Sequence, residues 1–138
     1  MCDAAPEHVL IHDAARPLVD AETISATLDA LNQHAGAIPA VAVADSLKKV
    51  TGGIIDRSLD RDGIWRAQTP QLFPVGRLFD ALCAGKEKNI TFTDEANAME
   101  FLGYAPLLVK GSRENLKLTE PEDMIFASAI LDAQEKTS

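Results

Sequence analysis

The stretch Val9-Leu10-Ile11-His12-Asp13-Ala14-Ala15-Arg16-Pro17 constrains this chain more than any other. A short apolar run that stops on an acid, two small residues and a cation reads as a buried strand of an α/β sheet running into a turn. In open sheets of this kind, ligands collect just beyond the carboxyl ends of the strands. Asp13 and Arg16 then emerge where chemistry is done. A carboxylate offers hard oxygen ligands to a divalent cation, and a guanidinium holds phosphate oxygens in a two-pronged fork. The same residues read equally well as a turn begun by Asp13 with Arg16 as a solvated charge.

The rest of the chain alternates in the way an α/β domain requires. Asp20 or Glu22-Thr23 opens a helix whose Ile24, Leu28 and Leu31 recur on one face, and Gly36 ends it. Ile38–Val43 is a second buried strand, which predicts a right-handed parallel strand–helix–strand unit with the first. Leu78, Phe79, Leu82 and Cys83 form a helical stripe closed by Gly85, Lys86 and Lys88. Thr93 supplies an N-cap hydroxyl with Asp94 and Glu95 in the first turn of a helix that stops at Gly103. Ala105–Val109 is a third strand. Thr119 and Glu122 make a capping box before a last helix with Met124, Ala127 and Leu131 on its inner face, and residues 134–138 are expected to fray.

Residues 47–74 break this rhythm. Leu47–Thr51, Gly52-Gly53 and Ile54–Leu59 spell a β-hairpin with a two-residue glycine turn. It is too polar to be buried on both faces, yet Ile54 and Ile55 sit together beside the turn. An isolated hairpin is marginal in water, so something must cover it, and a partner subunit is a reasonable candidate. Gly63 and Pro70 make 61–71 loop or extended chain rather than helix.

The chain has 138 residues, one domain's worth, and 13 basic against 21 acidic residues give a net charge of −8. That balance argues against general binding to nucleic acid or an anionic membrane. A local phosphate site survives it, because charges farther away than a Debye length of about 8 Å are screened. Neither Cys2 with Cys83 nor His8, His12 and His34 has a metal-ligand spacing, and no histidine is assigned a catalytic role. Cys83 reads as a small core residue. No stretch approaches the ~20 apolar residues of a membrane span, and no signal-peptide pattern is seen, so a reducing, cytoplasmic setting is expected.

Four polar clusters remain: Asp13/Arg16, Ser46, Thr93-Asp94-Glu95 and Asn115/Lys117/Thr119. Periodicity says only that several can share one rim of the sheet. Asp94 and Glu95 suit helix caps as well as catalysis, and Lys117 between Leu116 and Leu118 suits the solvated face of a short strand.

In order, the series His-Asp-Ala-Ala-Arg-Pro (12–17), Asp-Arg-Asp-Gly-Ile-Trp-Arg-Ala-Gln-Thr-Pro-Gln (60–71), Thr-Asp-Glu-Ala (93–96) and Asn-Leu-Lys-Leu-Thr-Glu-Pro-Glu-Asp (115–123) closely resembles the 2-C-methyl-D-erythritol 4-phosphate cytidylyltransferases of non-mevalonate isoprenoid biosynthesis. The resemblance implies an α/β, Rossmann-like nucleotidyltransferase sheet of the glycosyltransferase-A-like kind, incomplete at its amino-terminal side. It also implies a homodimer whose β-arms, here at about 45–64, reach across to the neighbour. The implied reaction joins a polyol phosphate to CTP with Mg²⁺ and releases pyrophosphate. By the same resemblance, Asp13, Ala14 and Arg16 lie beside the nucleotide, with Asp13 at the metal. Arg61 and Lys117 are the catalytic cations that position the substrate phosphate, Arg61 being lent by the sister subunit. Asp13, Ser46 and Thr93 line the substrate pocket, and Ser46 stands where the family usually has threonine.

The family's glycine-rich triphosphate loop has no counterpart here, and the match begins at a central strand. The expectation is a single partial domain over 1–138, a fragment or truncated product weakly active or inactive alone. Two other readings are a cytidylyltransferase for another polyol phosphate, such as ribitol 5-phosphate, and a non-catalytic dimerisation or binding module.

Overall fold

A computed structural model describes residues 6–33 and 35–137. In chain order its elements are β1 (His8–Ile11), α1 (Ala21–Asp29), β2 (Ala37–Ala42), β3 (Leu47–Thr51), β4 (Ile54–Leu59), β5 (Trp65–Ala67), β6 (Gln71–Pro74), α2 (Val75–Glu87), α3 (Glu95–Phe101), β7 (Leu107–Lys110) and α4 (Asp123–Thr137). The class is the expected α/β, but the sheet is mixed. β6 runs antiparallel to both β1 and β2 and lies between them, so those two point the same way without pairing. The strand–helix–strand unit is therefore not a hydrogen-bonded parallel pair. The parallel partner of β2 is β7, with Ala37 opposite Leu107 and Ala40 opposite Lys110.

β2 is the centre of the sheet. The Pro39 carbonyl accepts from Gln68 N–H and the Ala40 carbonyl from Gly111 N–H, so successive carbonyls face opposite edges. β7 occupies one edge. β5 and β6 follow each other along the other, with Ala40 opposite Ala67 but Ala37 opposite Leu72. Two residues are therefore looped out between them, around Thr69-Pro70. Pro39 offers no N–H toward this edge, and it is there that the neighbouring strand breaks.

The core sits between β1, β6 and β2 on one side and α2 with α3 on the other. Phe73, Leu78, Ala81, Ala96, Ala98 and Met99 are its buried members. The buried face of α2 is Leu78, Ala81 and Gly85. Phe79, Leu82 and Cys83 from the expected stripe are exposed, so Cys83 is not a core residue. In α1 the buried side chains are Thr23 and Thr27, whose hydroxyl donates to the Thr23 carbonyl, while Leu28 faces out. Asp20 caps that helix as expected, accepting from Thr23 N–H at 2.6 Å. The small Thr and Ala surfaces let helices lie close to the strands, and of the expected stripe on α2 only Leu78 is buried.

The last helix departs furthest from its reading. Of Met124, Ala127 and Leu131 only Ala127 is buried, and Ile125 and Phe126 are also exposed. Its start is held by the Asp123 carboxylate, not by Glu122. Asp123 Oδ2 accepts from Thr119 N–H, the Thr119 hydroxyl and Glu120 N–H, which holds its carboxyl below the usual range. The helix continues through Thr137 rather than fraying from 134.

The hairpin is as predicted. β3 and β4 form a two-stranded sheet of their own, with Gly52 and Gly53 at φ +58° and +83°. Every residue of β4 is exposed. No helix among the described residues is long and apolar enough to cross a membrane.

Gly36 is fixed by both backbone and packing. Its φ is +152°, and a Cβ there would meet the Phe73 ring and lie 2.8 Å from the Leu72 carbonyl oxygen. Gly36→Ala is expected to destabilise the fold by about 1–3 kcal/mol, read from chemical denaturation. An unchanged midpoint would show that this junction has room to relax.

Candidate active site

Beyond the end of β1 the chain makes the turn that its composition allows. Asp13 C=O accepts from Arg16 N–H at 2.9 Å, and Asp13 Oδ1 accepts from Ala15 N–H at 3.2 Å. Asp13 thus begins a turn, but Arg16 is not a solvated surface charge. Its Nη1 donates to the Asn115 carbonyl at 2.7 Å and its Nη2 toward the Ala67 carbonyl at 3.5 Å. Burial, and then the like charge of Arg66, lower the Arg16 pKa. A guanidinium stays charged through such a shift.

Lys117 arrives from a segment that is not a strand. Leu118 N–H donates to the Ala15 carbonyl, and this bond, with that from Arg16 to the Asn115 carbonyl, sets residues 115–118 against the turn after β1. Lys117 Nζ lies 2.7 Å from Asp13 Oδ2. That contact, with the Ala15 N–H, holds the Asp13 carboxyl below its ordinary range.

Three buried amide side chains brace this rim where the strand breaks. Gln68 Nε2 donates to the carbonyls of Ser112 and Asn115. Asn115 Nδ2 donates to the Thr69 carbonyl. Gln71 Nε2 donates to Asp94 Oδ2, and its Oε1 accepts from Ala96 N–H. Asp94 is the true cap of α3, since its Oδ1 accepts from Asn97 N–H at 2.8 Å; Thr93 precedes the cap. Among the described residues, Arg16 Nε, Gln68 Oε1 and Asn115 Oδ1 are buried without a protein partner. Buried polar atoms of this kind are places where water or a ligand group is accommodated.

The result is a cleft of about 540 Å³. Its lining includes Asp13, Arg16 and Lys117, then Thr93, Asp94 and Glu95, and the apolar Leu82 and Phe92. Of the residues expected at the site, the fold brings Asp13, Arg16, Thr93 and Lys117 together, and Ala14 lies exposed in the turn between Asp13 and Arg16. Ser46 and Arg61 are elsewhere, exposed at the root of the hairpin, where Arg61 Nη1 donates to the Ala44 carbonyl. Asn115 lies buried beneath the rim rather than facing ligand.

Sequence reasoning passed over His12, Gln68, Thr69 and Gln71, all of which line the cleft. His12 Nε2 faces the Arg16 carbonyl at 2.9 Å and its Nδ1 faces Thr69 Oγ1 at 2.9 Å. A carbonyl only accepts, so Nε2 carries the proton, and in the neutral ring Nδ1 accepts from the Thr69 hydroxyl. Thr69 Oγ1 in turn accepts from Asp13 N–H. The imidazole is thereby a brace for the turn that presents Asp13. His34 and Cys2 lie outside the described residues.

The fold is that of the Rossmann-like nucleotidyltransferases, as the match to solved structures shows. A 4-diphosphocytidyl-2C-methyl-D-erythritol synthase superposes with a TM-score of 0.81 at 45% identity, covering 90% of this chain and 56% of that one. The 2-C-methyl-D-erythritol 4-phosphate cytidylyltransferase of Thermus thermophilus gives 0.85 at 32% identity, covering 92% and 63%. The family profile described as 2-C-methyl-D-erythritol 4-phosphate cytidylyltransferase matches residues 2–133. A curated relative of that name from Paraburkholderia phymatum is 49% identical over 127 residues, 89% of this chain and 54% of its own length. The chain belongs to the 2-C-methyl-D-erythritol 4-phosphate cytidylyltransferase family. It spans about half the length of the curated relatives it matches.

The Asp13–Lys117 pair makes a sign-definite prediction. A carboxyl with a lowered folded pKa adds stability above its unfolded pKa, and that stability is lost as pH falls through the folded value. Lys117→Ala should raise the Asp13 pKa toward the ordinary carboxylate value, read by NMR titration of its side-chain carbon. The stability lost at neutral pH should not exceed about 1 kcal/mol, because the pair is partly exposed. An unmoved Asp13 titration would show that the ion pair does not persist in solution.

Proposed function

We propose that the cleft serves the transfer of a cytidylyl group from CTP to 2-C-methyl-D-erythritol 4-phosphate, giving the diphosphocytidyl product and pyrophosphate in the cytoplasm. The observation that carries this reading is the meeting of Asp13, Arg16, Thr93 and Lys117, far apart in sequence, in one cavity. The cavity's lining offers two chemistries. Arg16 and Lys117 suit a phosphate, while the oxygens of Thr93, Asp94 and Glu95 suit the hydroxyls of a polyol. The relatives' names favour methylerythritol phosphate over ribitol phosphate.

In the proposed step a phosphate oxygen of the polyol phosphate attacks the α-phosphorus of CTP. That P–O bond forms as the bond to the β-phosphate breaks, and the electron pair leaves with pyrophosphate. Positioning and cationic stabilisation dominate such transfers. Arg16 and the turn that carries it hold the nucleotide side. Lys117 is a compact, movable charge for the attacking phosphate, steered by Asp13, and Arg61 is a planar fork for the same phosphate.

Mg²⁺ fits this donor set. Among the described residues no group of three or more metal-ligating side chains exists, but one carboxylate suffices when substrate phosphates complete the coordination. Asp13 would hold the ion, which supplies charge neutralisation on phosphate oxygens when bound.

Arg61 and Ser46 reach a cleft only if the arm of a second copy brings them. The arm is a separate sheet exposing Val50, Ile54, Ile55 and Leu59, an apolar surface that a homodimer would cover. In a full-length enzyme carrying these residues, Arg61→Ala or Lys117→Ala should each cut turnover at least about 100-fold. Co-assembling the two variants should restore about a quarter of wild-type turnover, since each mixed two-fold dimer regains one intact site. Variants within about tenfold of wild type would remove these residues from the transfer step, and mixed dimers as inactive as their parents would place Arg61 in its own subunit's site.

A further inference from the structure

A second groove, of about 280 Å³, shares Arg16, Ala67, Gln68 and Lys117 with the cleft. Arg66 and Arg113, to which the cytidylyl-transfer reading gives no role, both line it. Arg66 sits on β5 opposite Val41, and Arg113 comes from the loop after β7, so two sheet edges carry them to one place. The acid bordering this groove is Asp123, whose Oδ2 already accepts three hydrogen bonds from Thr119 and Glu120. Among the described residues, neither Arg66 nor Arg113 has a carboxylate within ion-pair distance. Asp45 borders the adjoining depression at the arm's root without pairing to either.

Such crowding is out of keeping with a chain whose net charge is −8. Carboxylates abound elsewhere, yet four cations, Arg16, Arg66, Arg113 and Lys117, line one groove, and Arg66 already disfavours the charge on Arg16. Guanidinium groups without carboxylate partners on a concave surface suit the charge of a tetrahedral oxyanion. Lys117 and Arg16 line both cavities, so the groove is continuous in charge with the cleft.

We propose that Arg66 and Arg113, with the shared Lys117, form a second subsite for a phosphoryl oxyanion, either a phosphate monoester or free pyrophosphate. The subsite stands on the groove alone. A chain that transfers no cytidylyl group can still bind the anion, so the two readings fail separately.

Calorimetric titration of the 138-residue chain with pyrophosphate, inorganic phosphate and glycerol phosphate tests it. Arg66→Gln and Arg113→Gln should each weaken the preferred anion about tenfold, while Arg57→Gln, an exposed cation on the arm, should change it by less than about twofold. Tighter binding of pyrophosphate points to the diphosphate as the natural occupant, and tighter binding of glycerol phosphate to the monoester. Should a variant misfold by circular dichroism, the guanidinium Nε–H resonances of the wild-type chain serve instead. Those of Arg66 and Arg113 should shift on adding pyrophosphate and that of Arg57 should not. Absence of binding at millimolar anion, equal losses in all three variants, or affinity unchanged in Arg66→Gln and Arg113→Gln would each overturn the proposal.

Discussion

Where the strand opposite Pro39 breaks, backbone pairing stops and buried amide side chains take over its work. Gln68 and Asn115 tie the loop after β7 to the break, and Gln71 ties the start of α3 to it. Each replaces ladder hydrogen bonds with side-chain ones in a place screened from water, where leaving a donor or acceptor unmade costs about 1–3 kcal/mol. The rim is therefore specified by a small set of buried amides rather than by regular sheet. The turn at Asp13, the Lys117 segment and the α3 terminus all hang from it.

This explains which parts of the molecule were legible beforehand. The hairpin is written locally, in two glycines and flanking β-formers, and it appears at the stated residues. β1, β2 and β7 are short apolar runs and lie where the sequence puts them, but β1 is not buried, its residues alternating between exposed and half-buried. β6 was not, because Gln71 at its start and Pro74 at its end hide a fully buried Leu72-Phe73 within a polar stretch. Pairing partners were equally invisible. The insertion of β6 between β1 and β2 is a long-range fact that no local period records. Helix faces were misjudged for a related reason. Phe79 and Leu82 outweigh Ala81 and Gly85 in apolar surface, yet close packing against the strands selects the small residues.

The site was legible in residue type and motif order more than in geometry. Asp13, Arg16, Thr93 and Lys117 line one cleft. What sequence alone lacked was the supporting layer. His12 and Thr69 fix the turn through a chain of hydrogen bonds that ends on Asp13 N–H, and each lies in an unremarkable local setting. Ser46 and Arg61 stand apart from the cleft, exposed at the root of the hairpin.

Lys117 is common property of two cavities, and a single ammonium cannot serve two anions fully at once. An anion held on one side draws that charge toward itself and leaves less for an anion on the other. Two such ligands are then heterotropic antagonists, and linkage requires the penalty to be the same whichever arrives first.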